Sequence, residues 1–154
     1  LGRQDPKTRR TSSFVIAANN VILNNEYMLM QRKNTNDRPF YPELSFKVVG
    51  LCFVVHNERG IYAKEKQYAD LLEQKLKLNG LIYVREQIIG NSGNTVDFIV
   101  EGKILLELKA KRIITKEDYY QTQRYLQETK LKLGIVINFR DQTINPKRVV
   151  RIDK

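Results

Sequence analysis

The chain has 154 residues, of which 42% are hydrophobic and 29% are charged, and this balance is typical of one globular domain. Its 27 basic residues outnumber 17 acidic ones, and the net charge of +10 suggests a polyanionic partner such as nucleic acid. A lone cysteine and a lone histidine exclude a disulfide framework and the usual zinc sites, and no apolar run is long enough for a membrane helix, so we expect a cytoplasmic location and no membrane partner.

The first 41 residues are predicted to lie outside the main domain. Residues 1–13 are polar and basic, which predicts a disordered arm. Residues 14–31 alternate short apolar runs with Asn-Asn pairs, which predicts a small hairpin or meander. A polar connector follows at residues 32–41, so the compact domain is predicted over residues 42–154.

Two helices are predicted at the start of this domain. Pro42 and Glu43 suit a first helical turn, and apolar residues then recur at spacings of three and four until Gly60 ends the pattern. A second helix is predicted over residues 64–78, ending at Asn79-Gly80. The apolar face of this second helix contains Tyr68, Leu72 and Leu76.

The remaining elements predict a mixed sheet. Three extended segments with tight connections, which favour an antiparallel meander, lie at residues 81–89, 95–100 and 103–110. Thr115 and Asp118 have the spacing of a capping box and begin a third helix that reaches about residue 129. Two further strands are predicted at residues 131–139 and 148–152, the last at an edge. The order α-α-β-β-β-α-β-β predicts an α/β fold with helices flanking the sheet.

The third extended segment, KILLELKA, carries charge where a buried strand should be apolar. Alternation places Glu107 and Lys109 on one face, opposite the face of Leu106 and Leu108. Charge on a buried strand is costly unless it is paired or bound to a metal. The alternatives are an edge strand with a solvated face, or an ion pair between the two residues.

Asp97 interrupts the neighbouring segment TVDFIV in a similar way, unless it faces solvent at a strand end. Two carboxylates on adjacent strands can hold one hard divalent cation through their oxygens. Lys109, on the face of Glu107, can orient or help to deprotonate a water and offset charge on a phosphate. Asp97, Glu107 and Lys109 together therefore suit metal-assisted phosphodiester hydrolysis.

This site depends on the register of the hairpin between the two strands. A two-residue turn at residues 101–102 would pair Asp97 with Leu106 and place Asp97 on the face opposite Glu107. The site therefore requires a bulge or a loop of odd length. The loop that we predict is residues 100–102, with its glycine in the left-handed region.

Other residues are candidates for a place in the site. Glu65 lies near the middle of the apolar stripe of the second helix, so it either points inward as a third carboxylate or faces solvent in the first turn. Gln121 and Tyr125 are one turn apart on the third helix and either approach the site or form an ordinary polar flank. Lys111 and Arg112 either contact phosphates or belong to a solvated basic face.

These motifs resemble known families. Asp97 followed by Glu107-Leu108-Lys109 resembles the D…ExK signature of the PD-(D/E)XK nuclease superfamily. The segment from Gln121 to Tyr125 resembles the QxxxY motif of its recombination-exonuclease-like branch. The segment from Glu65 to Tyr68, with VDFIVEGKILLELKA and RYLQETKLKLGIVINF, is similar to the bacterial and archaeal GxxExxY proteins. The resemblance covers about residues 43–151.

The resemblance implies a restriction-endonuclease-like αβββαβ core with a nuclease site that depends on Mg²⁺, or alternatively Mn²⁺. It implies that Asp97 and Glu107 are metal ligands, that Lys109 is the catalytic lysine, and that Glu65 assists. The residues that would support the site or contact nucleic acid are Tyr68, Lys111, Arg112, Gln121 and Tyr125.

The leading hypothesis is a metal-dependent nuclease with DNA as the expected substrate. Pairing of two copies to cut two strands is compatible with this function. One alternative is a non-catalytic nucleic-acid-binding module on the same scaffold, which would show salt-sensitive binding without cleavage. Another is a protein-interaction domain, which the charges on a central strand disfavour.

Overall fold

The computed structural model describes residues 40–153, so the predicted basic arm and hairpin within residues 1–31 lie outside the described residues. The described part of the chain divides into two units, with the boundary between Val54 and Val55. The boundary between these units falls inside the first helix, α1, which spans Pro42–Arg59. Gly60 follows α1 with φ +72°, as its predicted role as a stop requires.

Within the described part of the chain, no helix has the length and apolar character needed to cross a membrane.

The predicted apolar stripe of α1 is confirmed by the burial of Val48, Cys52 and Val55. Half-buried positions such as Leu44 and Leu51 flank this stripe.

The second unit contains a five-stranded sheet in the order β1-β2-β3-β4-β5. Its elements are α2 Glu65–Leu78, β1 Tyr83–Ile89, β2 Asn94–Val100, β3 Ile104–Lys109, α3 Lys116–Thr129, β4 Leu133–Asn138 and β5 Lys147–Val150. β3 and β4 are parallel because α3 provides the crossover between them, and the other pairs are antiparallel. The predicted mixed sheet and αβββαβ order are confirmed, with β5 at an edge.

Helices cover both faces of the central strand. Leu105 of β3 and Val136 of β4 share an apolar cluster with Leu126 of α3. On the other face, Tyr68 of α2 stacks on Phe139, just beyond β4, with ring centroids 4.4 Å apart. Because β3 pairs with strands on both sides and is covered on both faces, the edge-strand alternative for its charged residues is excluded.

The β2–β3 loop has the odd length that the proposed site requires, although its position differs from the prediction by one residue. Val100 pairs with Ile104, so the loop is residues 101–103 rather than 100–102. Glu101 has φ +54° and Gly102 has φ +60°, so two consecutive left-handed residues reverse the chain. With Phe98 paired to Leu106, the next residues along the two strands are Asp97 and Glu107, directly across from each other.

α3 lies very close to β4 because Gly134 has no side chain. A Cβ atom at Gly134 would lie 2.8 Å from Cγ2 of Thr122 and 3.5 Å from Cδ1 of Leu126. This close approach sets the distance between α3 and the sheet, and therefore the distance between α3 and the charged end of β3.

We expect Gly134→Ala to lower the free energy of unfolding by about 1–3 kcal/mol, because the added methyl group overpacks the α3–β4 contact. Urea denaturation would measure the change. The matched control is the double variant Gly134→Ala, Thr122→Ser, which removes the opposing methyl group and keeps the hydroxyl bond to the Asp118 carbonyl. The double variant should recover part of the loss, and strictly additive losses would contradict this packing explanation.

Candidate active site

The backbone pairing between β2 and β3 gives way to side-chain bonds at the two carboxylates. Past the Phe98–Leu106 pair, the Asp97 N–H donates to Oε1 of Glu107 at 3.2 Å. The Leu108 N–H donates to Oδ2 of Asp97 at 2.7 Å. Each carboxylate therefore accepts a hydrogen bond from the backbone of the other strand, just beyond the last paired residues.

Burial raises the pKa values of both carboxylates, and the charge of Asp97 adds to this effect on Glu107. Glu107 is only 4% exposed, and burial, followed by the charge of Asp97, raises its pKa to about 8. Burial also raises the pKa of Asp97, although its hydrogen bond from Leu108 acts in the opposite direction. Two such groups favour a bound proton or a bound cation between them.

Lys109 is held by side chains from both β3 and α3. Its Nζ lies 3.1 Å from Oε1 of Gln121 and donates a hydrogen bond to it. The same Nζ lies 3.8 Å from Oε2 of Glu107 and 3.9 Å from Oδ1 of Asp118. The ion pair considered as an alternative explanation is therefore present, and it lies within the same cluster as the proposed site.

Glu65 lies at the first residue of α2, on the open side of the site. Its side chain is exposed, which agrees with the alternative that Glu65 faces solvent in the first turn. It also lines a cavity of about 210 Å³ together with Asp97. Partial burial and then the charge of Asp97 raise its pKa, while a hydrogen bond from the backbone of Ala110 lowers it. Glu65 therefore faces solvent and the carboxylate pair at once.

Tyr68 and Tyr125 are buried and support the site from within. The Tyr68 hydroxyl donates to the Gly60 carbonyl at 2.5 Å and accepts from the Ala63 N–H at 3.2 Å, so it fixes the segment that leads into Glu65. Tyr125 is 4% exposed and hydrogen-bonds to Gln121, and burial raises its pKa. Neither ring is open to a nucleic acid. Of the two alternatives considered for Tyr125, the polar flank is excluded, because Tyr125 joins the apolar cluster.

The segment after β3 is fixed by its backbone and by one ion pair. The Lys111 N–H donates to Oδ1 of Asn138 at 3.1 Å, and Nδ2 of Asn138 donates to the Lys111 carbonyl at 2.6 Å. The Lys111 ammonium pairs with Oδ2 of Asp118. Arg112 is exposed, as a residue that contacts phosphates must be.

Sequence reasoning missed Glu86, Asp118 and Asn138 as parts of the site. Glu86 is an exposed strand residue with φ +53° that lines the cavity beside Asp97, and an exposed glutamate gives no signal in the sequence. Asp118 was assigned only to the capping box, which the structure confirms with Thr115. Asn138 was included only in an apolar strand, where a polar residue at the carboxyl end was the available signal.

The carboxylate pair fits a hard cation better than a metal that needs a full protein ligand set. Within residues 40–153, no group of three or more Asp, Glu, His or Cys side chains is arranged to hold a metal ion. Mg²⁺ is commonly bound through one or two carboxylates, with waters and substrate phosphates as its other ligands. Asp97 and Glu107 provide such a pair. Their raised pKa values mean that their charged forms are unfavourable without a partner, and a bound cation would stabilise these charged forms.

Comparison with known proteins gives a family for most of the chain. A family model described as the PD-(D/E)XK nuclease superfamily matches residues 42–152. Among solved structures, the chain is similar to the crystal structure of an alkaline exonuclease from Laribacter hongkongensis, with 13% sequence identity and a TM-score of 0.42. That alignment covers 75% of this chain and 73% of the exonuclease chain. A search of curated proteins found no match.

The raised pKa of Glu107 predicts that the metal-free protein loses stability as pH rises. Between the ordinary value of 4.5 and about 8, the folded state holds a proton that the unfolded chain has released. The free energy of unfolding should therefore fall across this range in EDTA. Urea denaturation at several pH values would measure this slope.

The matched variant Glu107→Gln keeps the side-chain volume and cannot ionise. We expect a flatter pH dependence for this variant than for the unsubstituted protein over the same range. The exposed control Glu128→Gln should keep the original slope. An equal slope in all three proteins would contradict a proton held at Glu107.

Proposed function

We propose that this chain, which belongs to the PD-(D/E)XK nuclease superfamily, hydrolyses phosphodiester bonds of nucleic acid, with DNA as its substrate and Mg²⁺ as its cofactor. The observation that carries the proposal is the pair of opposed carboxylates, Asp97 and Glu107, with the ammonium group of Lys109 held beside them. The residue types, their order in the chain and their spatial arrangement all suit the same chemistry.

In this proposal, Asp97 and Glu107 hold the divalent cation, and Mn²⁺ is the alternative ion. Burial and mutual repulsion disfavour two bare negative charges here, and this supports their use as ligands. When bound, the cation would polarise the scissile phosphate and lower the pKa of the attacking water. Glu65, on the cavity side, would accept a hydrogen bond from water entering the site.

Lys109 is proposed to be the catalytic lysine. Its ammonium group would donate to the attacking water or to a phosphate oxygen and stabilise the negative charge that develops there. Gln121 accepts a hydrogen bond from Lys109 and is bonded to Tyr125, which is anchored in the apolar cluster. These two residues therefore orient the lysine, which supports their assignment to a supporting role.

The positive charge of the chain favours a polyanionic substrate. The net charge of +10 increases the rate of encounter with nucleic acid and predicts salt-sensitive binding. Lys111 and Arg112, just beyond β3, are proposed to contact phosphates near the cleaved bond. Placement among the GxxExxY proteins is also proposed, and it rests on the order in the chain of Glu65 and Tyr68, then Asp97, then Glu107 and Lys109. The cytoplasmic location and the homodimer remain predictions.

The test of the proposal is cleavage of circular and linear double-stranded DNA, single-stranded DNA and RNA by the full chain. With Mg²⁺ or Mn²⁺ we expect cleavage of DNA, and with EDTA we expect none. Asp97→Asn and Glu107→Gln should each lower the rate by about a hundredfold or more, because each removes a ligand charge from the site. Gel electrophoresis with end-labelled and circular substrates would measure the rates and separate exonuclease from endonuclease action.

Glu128→Gln is the matched control, because it removes one exposed carboxylate and should leave the rate within about twofold. Equal residual cleavage by all variants would point to a contaminating nuclease. Tight, salt-sensitive binding without cleavage under any condition would replace the proposal with the non-catalytic binding module.

A further inference from the structure

We propose that Asp118 is a positioning residue that holds the ammonium groups of Lys109 and Lys111 together and thereby directs Lys109 toward Glu107. The inference rests on the proposed function for its catalytic consequence. Its structural part, the restraint of Lys109 by the charge of Asp118, stands on distances alone.

The Asp118 carboxylate is shared between a helix start and two lysines. Its side chain lies at the third residue of α3 and is only 6% exposed. Oδ2 accepts hydrogen bonds from the N–H and hydroxyl of Thr115, at 2.7 Å and 3.2 Å, and pairs with Nζ of Lys111. Oδ1 lies 3.9 Å from Nζ of Lys109. One carboxylate therefore joins α3 to both lysines that flank the end of β3.

The capping role does not by itself explain a charge at this position. The third residue of a capping box needs only an acceptor for the N–H of the cap residue, and a neutral glutamine provides one. A buried charge is costly unless it is paired. Asp118 is paired with two ammonium groups, so its charge serves the lysines rather than the cap.

The second argument concerns the sharing of the charge of Glu107. Lys109 contacts Glu107, Gln121 and Asp118. If Glu107 holds a cation, its single negative charge is shared with that cation, and Gln121 is neutral. Of the two described carboxylates within 4 Å of the Lys109 ammonium, Asp118 is then the one whose charge is not shared with the cation. It also screens Lys109 from the like charge of Lys111, which would otherwise push the two side chains apart.

The direct test is chemical labelling of Lys109 in the metal-free full chain. Brief reaction with a small amine-acetylating reagent, followed by peptide mass spectrometry, gives a rate for each lysine. The reference is Lys66, whose side chain is 79% exposed, whereas the side chain of Lys109 is 17% exposed. We expect Asp118→Asn to raise the relative labelling rate of Lys109 at least threefold, because the amide retains an acceptor for Thr115 and loses the charge.

The catalytic consequence is tested on the same variants. We expect Asp118→Asn to lower kcat at least tenfold while KM changes less than about threefold, because displacement of a catalytic group affects the chemical step more than binding. The matched control is Glu117→Gln, which removes a neighbouring exposed carboxylate from the same helical turn. This control should match the unsubstituted chain in both labelling and kcat.

A second pair of variants separates charge from capping. Both Glu and Gln serve as the third residue of a capping box, so Asp118→Glu and Asp118→Gln have similar size and similar capping ability. We expect a lower labelling rate of Lys109 and a higher kcat in Asp118→Glu than in Asp118→Gln. This comparison remains informative even if Asp118→Asn fails to fold, which circular dichroism would reveal.

Two results would overturn the inference. One is unchanged labelling of Lys109 in Asp118→Asn, and the other is equal labelling in Asp118→Glu and Asp118→Gln. Failure of the proposed function looks different, because the unsubstituted chain would then cleave no substrate while the labelling difference persisted. That outcome would support the restraint of Lys109 by Asp118 and remove only its catalytic meaning.

Discussion

Two carboxylates take over the hydrogen bonds that the backbones of β2 and β3 would otherwise make with each other. Asp97 and Glu107 each accept a hydrogen bond from an N–H of the opposite strand. The N–H groups of Asp97 and Leu108 are therefore both satisfied at the place where the backbone pairing of the two strands ends. The exchange brings two carboxylates into a buried place, where burial raises the pKa of each and the charge of Asp97 further raises the pKa of Glu107. Much of the packing of the second unit can be understood as support for this interruption of the β2–β3 backbone pairing.

The sheet tolerates the interrupted pairing between β2 and β3 because β3 is fully paired with β4 on its other side. The six residues of β3 pair in register with those of β4, from Ile104–Leu133 to Lys109–Asn138. Tyr68 and Phe139 pack beneath the sheet, and Leu126 of α3 packs above it. The stability of the unit therefore comes from apolar layers and the β3–β4 ladder. Because of this stability, the unit can contain two carboxylates that repel each other where β2 and β3 separate from their pairing. Ionisable groups with raised pKa values that are concentrated at one place in a well-packed scaffold are typical of functional sites.

Much of the fold, and the centre of the site, followed from the sequence because both depend on short-range patterns. The order of elements follows from periodicity and turn residues. The placement of Asp97 and Glu107 on one face follows from alternation combined with an odd loop, although the predicted loop would have put Asp97 across from Leu105 rather than Glu107. The loop position was wrong by one residue because loops at residues 100–102 and 101–103 both have odd length and both keep Asp97 on the face of Glu107, so alternation does not distinguish them. Glu86 and the second role of Asp118 depend on which distant groups lie nearby, and no local pattern records that. The sequence left Tyr125 open between a place near the site and a polar flank, because spacing alone does not show that its ring fills the α3 face of the sheet.

The loop between β2 and β3 determines whether the site can exist at all. Glu101 adopts φ +54°, which is unfavourable for a residue with a side chain, and bonds to Ile82 compensate. The Glu101 N–H donates to the Ile82 carbonyl at 2.7 Å, and its Oε1 accepts the Ile82 N–H at 2.8 Å. This pair of bonds ties the turn to the segment before β1 and fixes its length at three residues. Because side chains alternate along a strand, a loop of two residues would move Asp97 to the other face and separate it from Glu107. An exposed turn at one end of the hairpin thus fixes the geometry of the carboxylates at the other.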